Sequence, residues 1–129
     1  MLGVNRMRRI LIVDDSPTIR RMVAVSLQGL DNVAFSEASN GLEAIEILTR
    51  ETINLMILDL NMPDMHGLEV LQFVHAHKPY GDIPVIVLTT KYDPETRRAA
   101  LEGGAARYLT KPFDPAALRE NANSLLKAE

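Results

Sequence analysis

What most constrains this chain is a junction that it uses twice: a short apolar run that ends on acids. ILIV at 10 to 13 runs into Asp14 and Asp15, and LMIL at 55 to 58 runs into Asp59. A run of four has the length of a buried strand. A carboxylate is the least welcome group at the end of such a strand unless something there needs it.

Around these junctions, strand-like runs alternate with helix-period segments, and Gly, Pro, Asn and Asp mark most of the boundaries. The expected strands are 8 to 13 (RRILIV), 33 to 38 (VAFSEA), 54 to 58 (NLMIL), 84 to 88 (PVIVL) and 106 to 110 (ARYLT). Five helices lie between and after them. The first follows a Ser16-Pro17 start, a capping hydroxyl before a proline at the first helical position, and places Ile19, Met22, Val23, Leu27 and Leu30 on one face. The second starts at Asn40 with Glu43 at capping-box spacing and is expected to bury Leu42, Ile45 and Leu48. The third carries Leu68, Leu71 and Val74. The fourth, over 94 to 103, and the fifth begin with Asp93-Pro94 and Asp114-Pro115. Strands too apolar to face water on either side call for a parallel sheet sandwiched by helices. Right-handed crossovers and a chain of 129 residues favour an open, doubly wound sheet over a barrel, which needs about twice the length.

Composition closes off several other classes. With 47% hydrophobic and 24% charged residues, the chain is suited to one compact domain. A net charge of -3 gives no footprint for nucleic acid, and Arg6, Arg8 and Arg9 read as a solvated strand entrance. The absence of cysteine excludes disulfides, thiol catalysis and cysteine metal sites. No apolar segment approaches the roughly 18 residues of a membrane span, and the polar first nine residues lack the core of a signal peptide, so a cytoplasmic location is expected.

In open α/β sheets, ligands bind beyond the carboxyl ends of the strands. Asp14 and Asp15 close the first strand there, Asp59 the third, Thr89 and Thr90 the fourth and Lys111 the fifth. If the first and third strands are neighbours, three carboxylates converge, and two such charges about 4 Å apart repel by roughly 4 kcal/mol at an effective dielectric near 20. Such a cluster needs a cation. All-oxygen ligands favour a hard ion, and Mg²⁺ fits because it accepts a few carboxylates and keeps several waters. A divalent ion, a lysine and a hydroxyl around one carboxylate make a site for a phosphoryl group, with Asp59 as the available nucleophile. His66, His75 and His77 lack metal-ligand spacing and read as surface or loop residues.

ILIVDDSP, LDLNMPDMHG, VLTT and YLTKPF together resemble the receiver domain of bacterial two-component response regulators, of the stand-alone, CheY-like type. The resemblance implies a flavodoxin-like sheet of order 2-1-3-4-5 with five helices, over residues 9–127 after a short extension of 1–8, with no output domain. It implies that Asp59 accepts a phosphoryl group from a sensor histidine kinase or histidine phosphotransfer protein. Asp15 and Asp59 would bind Mg²⁺ directly, Asp14 mainly through water, and Asn61 through its backbone carbonyl. Thr89 and Lys111 would contact the phosphoryl oxygens, Tyr108 would follow the phosphorylation state, and the Lys111-Pro112 bond would be cis. Asn61 and Lys91 fall where the family tunes phosphate lifetime: Asn61 resembles members with short-lived phosphates, whereas Lys91 replaces an acid often found there, so the lifetime stays open. The chain is then expected to be a signalling switch that catalyses only its own phosphorylation and dephosphorylation. It would present its helix 4, strand 5 and helix 5 surface to a protein target, as a monomer or as a dimer formed on phosphorylation. Chemotaxis motor control, a phosphorelay intermediate and a receiver cut from a longer regulator stay open. The competing class is a haloacid dehalogenase-type Mg²⁺-dependent phosphohydrolase, against which stands Asn61 in place of a second acid.

Overall fold

A computed structural model describes residues 7–63, 65–90 and 93–127. Five strands, β1 (Arg8–Val13), β2 (Val33–Ala38), β3 (Leu55–Leu58), β4 (Val85–Thr89) and β5 (Arg107–Thr110), alternate with helices α1 (Pro17–Leu27), α2 (Gly41–Arg50), α3 (Gly67–Ala76), α4 (Pro94–Glu102) and α5 (Pro115–Lys127). A 3-10 turn at Tyr80–Asp82 precedes β4. All the strand pairs are parallel, in the order β2-β1-β3-β4-β5. This is the doubly wound, flavodoxin-like sheet that the sequence implied.

The period-two alternation of the strands divides the core into two layers. Leu11, Val13, Met56, Leu58, Val85 and Val87 pack under α2, α3 and α4 with Ala44, Leu48, Val70, Leu71 and Ala100. Ile10, Ile12, Leu55, Ile57, Ile86 and Leu88 face Val23 and Leu27 of α1 and Leu118, Ala122 and Leu126 of α5. Each fully buried Leu, Ile or Val contributes about 1.5–3 kcal/mol. The three central strands are thus held by apolar packing on both faces.

Helix starts follow the expected local chemistry. Ser16 Oγ accepts from the Ile19 N–H at 3.2 Å, and the Asp93 carboxylate accepts from the Thr96 N–H at 3.0 Å. Two helix faces are rotated from the expectation. Leu42 is 58% exposed and Ile45 only half-buried, while Gly41, Ala44, Ile47 and Leu48 point inward. The reason is close approach: a Cβ on Gly41 would lie 2.7 Å from Met65 Cβ, so small residues bring α2 against α3. Met22 is likewise 49% exposed, because Ser26 takes the inward place and satisfies its hydroxyl on the Met22 carbonyl at 2.8 Å. The Asn40 start is also only half of a capping box. Asn40 Oδ1 accepts from Glu43 N–H, but the Glu43 carboxylate reaches the Ser39 amide and hydroxyl instead of the cap's own N–H.

The end of α4 is closed. Gly104 has φ +111°; its N–H bonds the Leu101 carbonyl at 3.1 Å and the Ala105 N–H bonds the Ala100 carbonyl at 3.0 Å. This is a Schellman cap with glycine at the left-handed position. The His75 ring lies directly over Gly104, where a Cβ would be 2.6 Å from Nε2. Nor are Arg8 and Arg9 merely solvated, since Arg8 donates to the Leu126 carbonyl and Arg9 to the Phe35 carbonyl. Arg6 and Lys91 lie outside the described residues.

Gly67 places the loop after β3. Its N–H bonds the Leu60 carbonyl at 3.1 Å, and a Cβ there would lie 2.5 Å from the Asp59 carbonyl oxygen and from Leu60 Cα. Backbone cannot yield as a side-chain tip can. Gly67→Ala is expected to cost about 1–3 kcal/mol by urea denaturation, whereas Gly29→Ala, with open space around it, should stay within about 0.5 kcal/mol of the parent.

Candidate functional site

The ladder of parallel strands continues one residue past the strand ends, and that fixes the site. The Asp14 N–H bonds the Ala38 carbonyl at 3.1 Å, the Asp59 N–H the Val13 carbonyl at 3.0 Å, and the Lys111 N–H the Thr89 carbonyl at 2.9 Å. Each chemical side chain therefore starts from a backbone held by its neighbouring strand. The Lys111-Pro112 bond, where the chain leaves β5 for α5, is cis, as is Lys78-Pro79.

These anchors bring the expected acids together. One carboxylate oxygen from each of Asp14, Asp15 and Asp59 lies within 4.8 Å of the others. Asp14 and Asp59 are 3% and 4% exposed, and Asp15 faces solvent. Lys111 Nζ reaches both buried acids, at 2.6 Å from Asp14 Oδ2 and 3.4 Å from Asp59 Oδ2. One ammonium against three carboxylates leaves a negative surplus. The donor set is all oxygen and partly open to water, which fits a hard divalent ion such as Mg²⁺.

Burial pushes the Asp59 carboxyl above its ordinary range, and the nearby Asp14 charge adds to the rise. The Asn61 N–H, donating at 3.2 Å, the Lys111 ammonium and the Thr89 hydroxyl, which donates to the same carboxylate, pull the other way. Thr89 is fully buried, so its hydroxyl is already directed at Asp59. Asn61 itself is exposed, with its backbone amide on the acid.

Tyr108 stands apart from the acids on β5, half-buried against the α2–α4 layer of the core. Burial raises its hydroxyl pKa; Asp93 raises it further, and Arg97 lowers it. It therefore lies within electrostatic reach of the first turn of α4. His66 has a structural role that the sequence reading missed. Its Nδ1 accepts from the Leu68 N–H and its own N–H bonds the Glu69 carboxylate, forming a capping box for α3. The signal was present as His66 followed three residues later by Glu69, with histidine in the place of a hydroxyl or short acid.

A raised folded-state pKa has a definite sign for stability. The Asp59 contribution is fully present below the carboxyl's unfolded value, near 3.8, and is lost as pH rises through the folded value. Asp59→Asn, measured in chelator, is therefore expected to melt higher than the parent at pH 7, with the gain shrinking as pH falls toward 4. A variant no more stable than the parent at pH 7 would contradict burial as the dominant influence on this acid.

A family model for the response regulator receiver domain matches residues 10–123. A chemotaxis protein CheY homolog of Campylobacter jejuni is 40% identical over 119 residues, 92% of this chain and 92% of the relative. Chemotaxis protein CheY1 of Helicobacter pylori is 36% identical over 119 residues, 92% of this chain and 96% of that one. Among solved structures, a CheY-like receiver domain protein from Methanospirillum hungatei shares 30% identity and a TM-score of 0.86 over 95% of each chain. The chemotaxis response regulator CheY4 of Vibrio cholerae gives 34% and 0.83, over 92% of this chain and 98% of that one. With sequence and backbone agreeing over nearly the whole length, the chain belongs to the response regulator receiver domain family.

Proposed function

We propose that this receiver is a phosphorylation switch in which Asp59 accepts a phosphoryl group from a phosphohistidine on a sensor histidine kinase or histidine phosphotransfer protein. The observation that carries this reading is the pair of buried strand-end carboxylates sharing the Lys111 ammonium, with the Thr89 hydroxyl on the same acid. An Asp59 carboxylate oxygen attacks phosphorus, the P–N bond breaks, and its electron pair stays on the departing imidazole. Asp14, Asp15 and Asp59, with the Asn61 backbone carbonyl, would hold Mg²⁺, which when bound supplies positive charge opposite the phosphoryl oxygens. Lys111 pairs with one of those oxygens, and Thr89 turns its hydroxyl from the carboxylate to another. Hydrolysis of the acyl phosphate by water resets the switch, at a rate that Asn61 and Lys91 tune.

Phosphorylation adds about one negative charge and three acceptor oxygens at the rim of the sheet. Drawing Thr89 inward opens space into which Tyr108 turns, and α4 follows readily because Ala100 is the one residue of that helix that is buried. The surface so altered, α4, β5 and α5, is the one read by a protein target, and the chemotaxis relatives favour motor control over a phosphorelay step. Converting a 1:99 equilibrium to 99:1 would take about 5.5 kcal/mol, a large sum for a few hydrogen bonds. A partial shift is therefore expected.

Incubation with Mg²⁺ and acetyl phosphate should label the chain stoichiometrically, with the label lost in Asp59→Asn and in excess chelator. Sustained turnover of many phosphate esters would instead indicate a hydrolase. In NMR spectra, a beryllofluoride adduct should move the Tyr108 ring and α4 amides only part of the way between two limiting positions. Spectra unchanged by the adduct would sink the switch.

A further inference from the structure

Asp15 is the member of the acidic cluster that the protein leaves least restrained. Among the described residues its exposed carboxylate receives no hydrogen bond or ion pair, whereas every oxygen of Asp14 is occupied. Asp14 Oδ1 accepts from the Ser16 N–H at 2.9 Å, Oδ2 takes Lys111, and the carbonyl oxygen takes Arg20 Nη1 at 2.6 Å. That last contact bears on Asp15, because the Asp14 carbonyl is half of the peptide plane from which Asp15 departs. Holding that oxygen restrains the orientation of this planar unit, and with it the Asp14 ψ and Asp15 φ from which the Asp15 side chain departs. Arg20 is itself held. Its Nε donates to Glu37 on β2 at 2.8 Å, the guanidinium is largely buried, and its own amide bonds the Ser16 carbonyl at 3.0 Å.

We propose that Arg20 is a positioning residue for divalent cation binding: clamped by Glu37, it locks the Asp14–Asp15 peptide so that the Asp15 carboxylate is already directed at the cluster. The inference rests on the metal-dependent reading above. Positioning and charge make opposite demands here, and this gives the proposal a distinctive sign. A guanidinium beside three carboxylates repels a cation, so on charge alone its removal tightens Mg²⁺ binding. If Arg20 positions Asp15, its removal weakens binding, because the ordering of the loop must then accompany association.

The test is Mg²⁺ titration by calorimetry, supported by Mn²⁺ electron paramagnetic resonance, on the parent, Arg20→Met, Arg20→Lys and Glu37→Gln. Thermal melts in chelator establish that each is folded. Loss of a group that supports a metal ligand typically weakens affinity by about ten-fold or more, and that loss is expected in Arg20→Met. It is also expected, to a smaller extent, in Arg20→Lys, which keeps the charge but not the two-pronged grip, and in Glu37→Gln. In an Asp15→Asn background, Arg20→Met should cause no further weakening. Unchanged or tighter binding in Arg20→Met, or a full additional loss in the Asp15→Asn background, would overturn the proposal. Absence of saturable binding in the parent would instead remove the metal-dependent reading on which it stands. Should Arg20→Met fail to fold, Arg20→Lys decides the matter: it keeps the charge, so weaker binding there reports lost positioning, and unchanged or tighter binding overturns the proposal.

Discussion

One ammonium shared by two buried carboxylates is the interaction on which this molecule turns. Lys111 sits against Asp14 and Asp59, with a third acid beside them, and like charges so close repel by several kcal/mol even when partly screened. Nothing flexible would keep them together. The parallel order of the strands brings three carboxyl ends to one edge, and the continued backbone ladder pins Asp14, Asp59 and Lys111 to neighbouring strands. The double apolar sandwich makes those strands hard to displace. The charge surplus that results is a property of the whole sheet, concentrated at its rim.

Much of this could be read from the residues alone because the signals are local. Four-residue apolar runs, a serine or aspartate before proline, and acids just after strands each act over a few residues. What escaped the reading depends on distance or size. The inward faces of α1 and α2 are carried partly by Ser26, Gly41 and Ala44, and a pattern that weights large apolar residues rotates each helix toward Met22 and Leu42. His66 escaped because histidine is an uncommon cap. Arg20 escaped because a bond from a helix side chain to a carbonyl six residues earlier leaves no mark in charge spacing or hydropathy. Within the site, convergence of Asp14, Asp15 and Asp59 followed from strand order, but the separate roles assigned to them came from family likeness.

The closed end of α4 has a consequence of its own. Its C-terminus is tied by the paired bonds around Gly104 and lies beneath the His75 ring, while its N-terminus carries the local Asp93 cap. If α4 shifts as proposed, a helix tied at its C-terminal end would pivot there as a lever. Small forces near Asp93 and Arg97, where Tyr108 feels both charges, would then sweep the near end of α4 through the widest arc, with the far end as fulcrum.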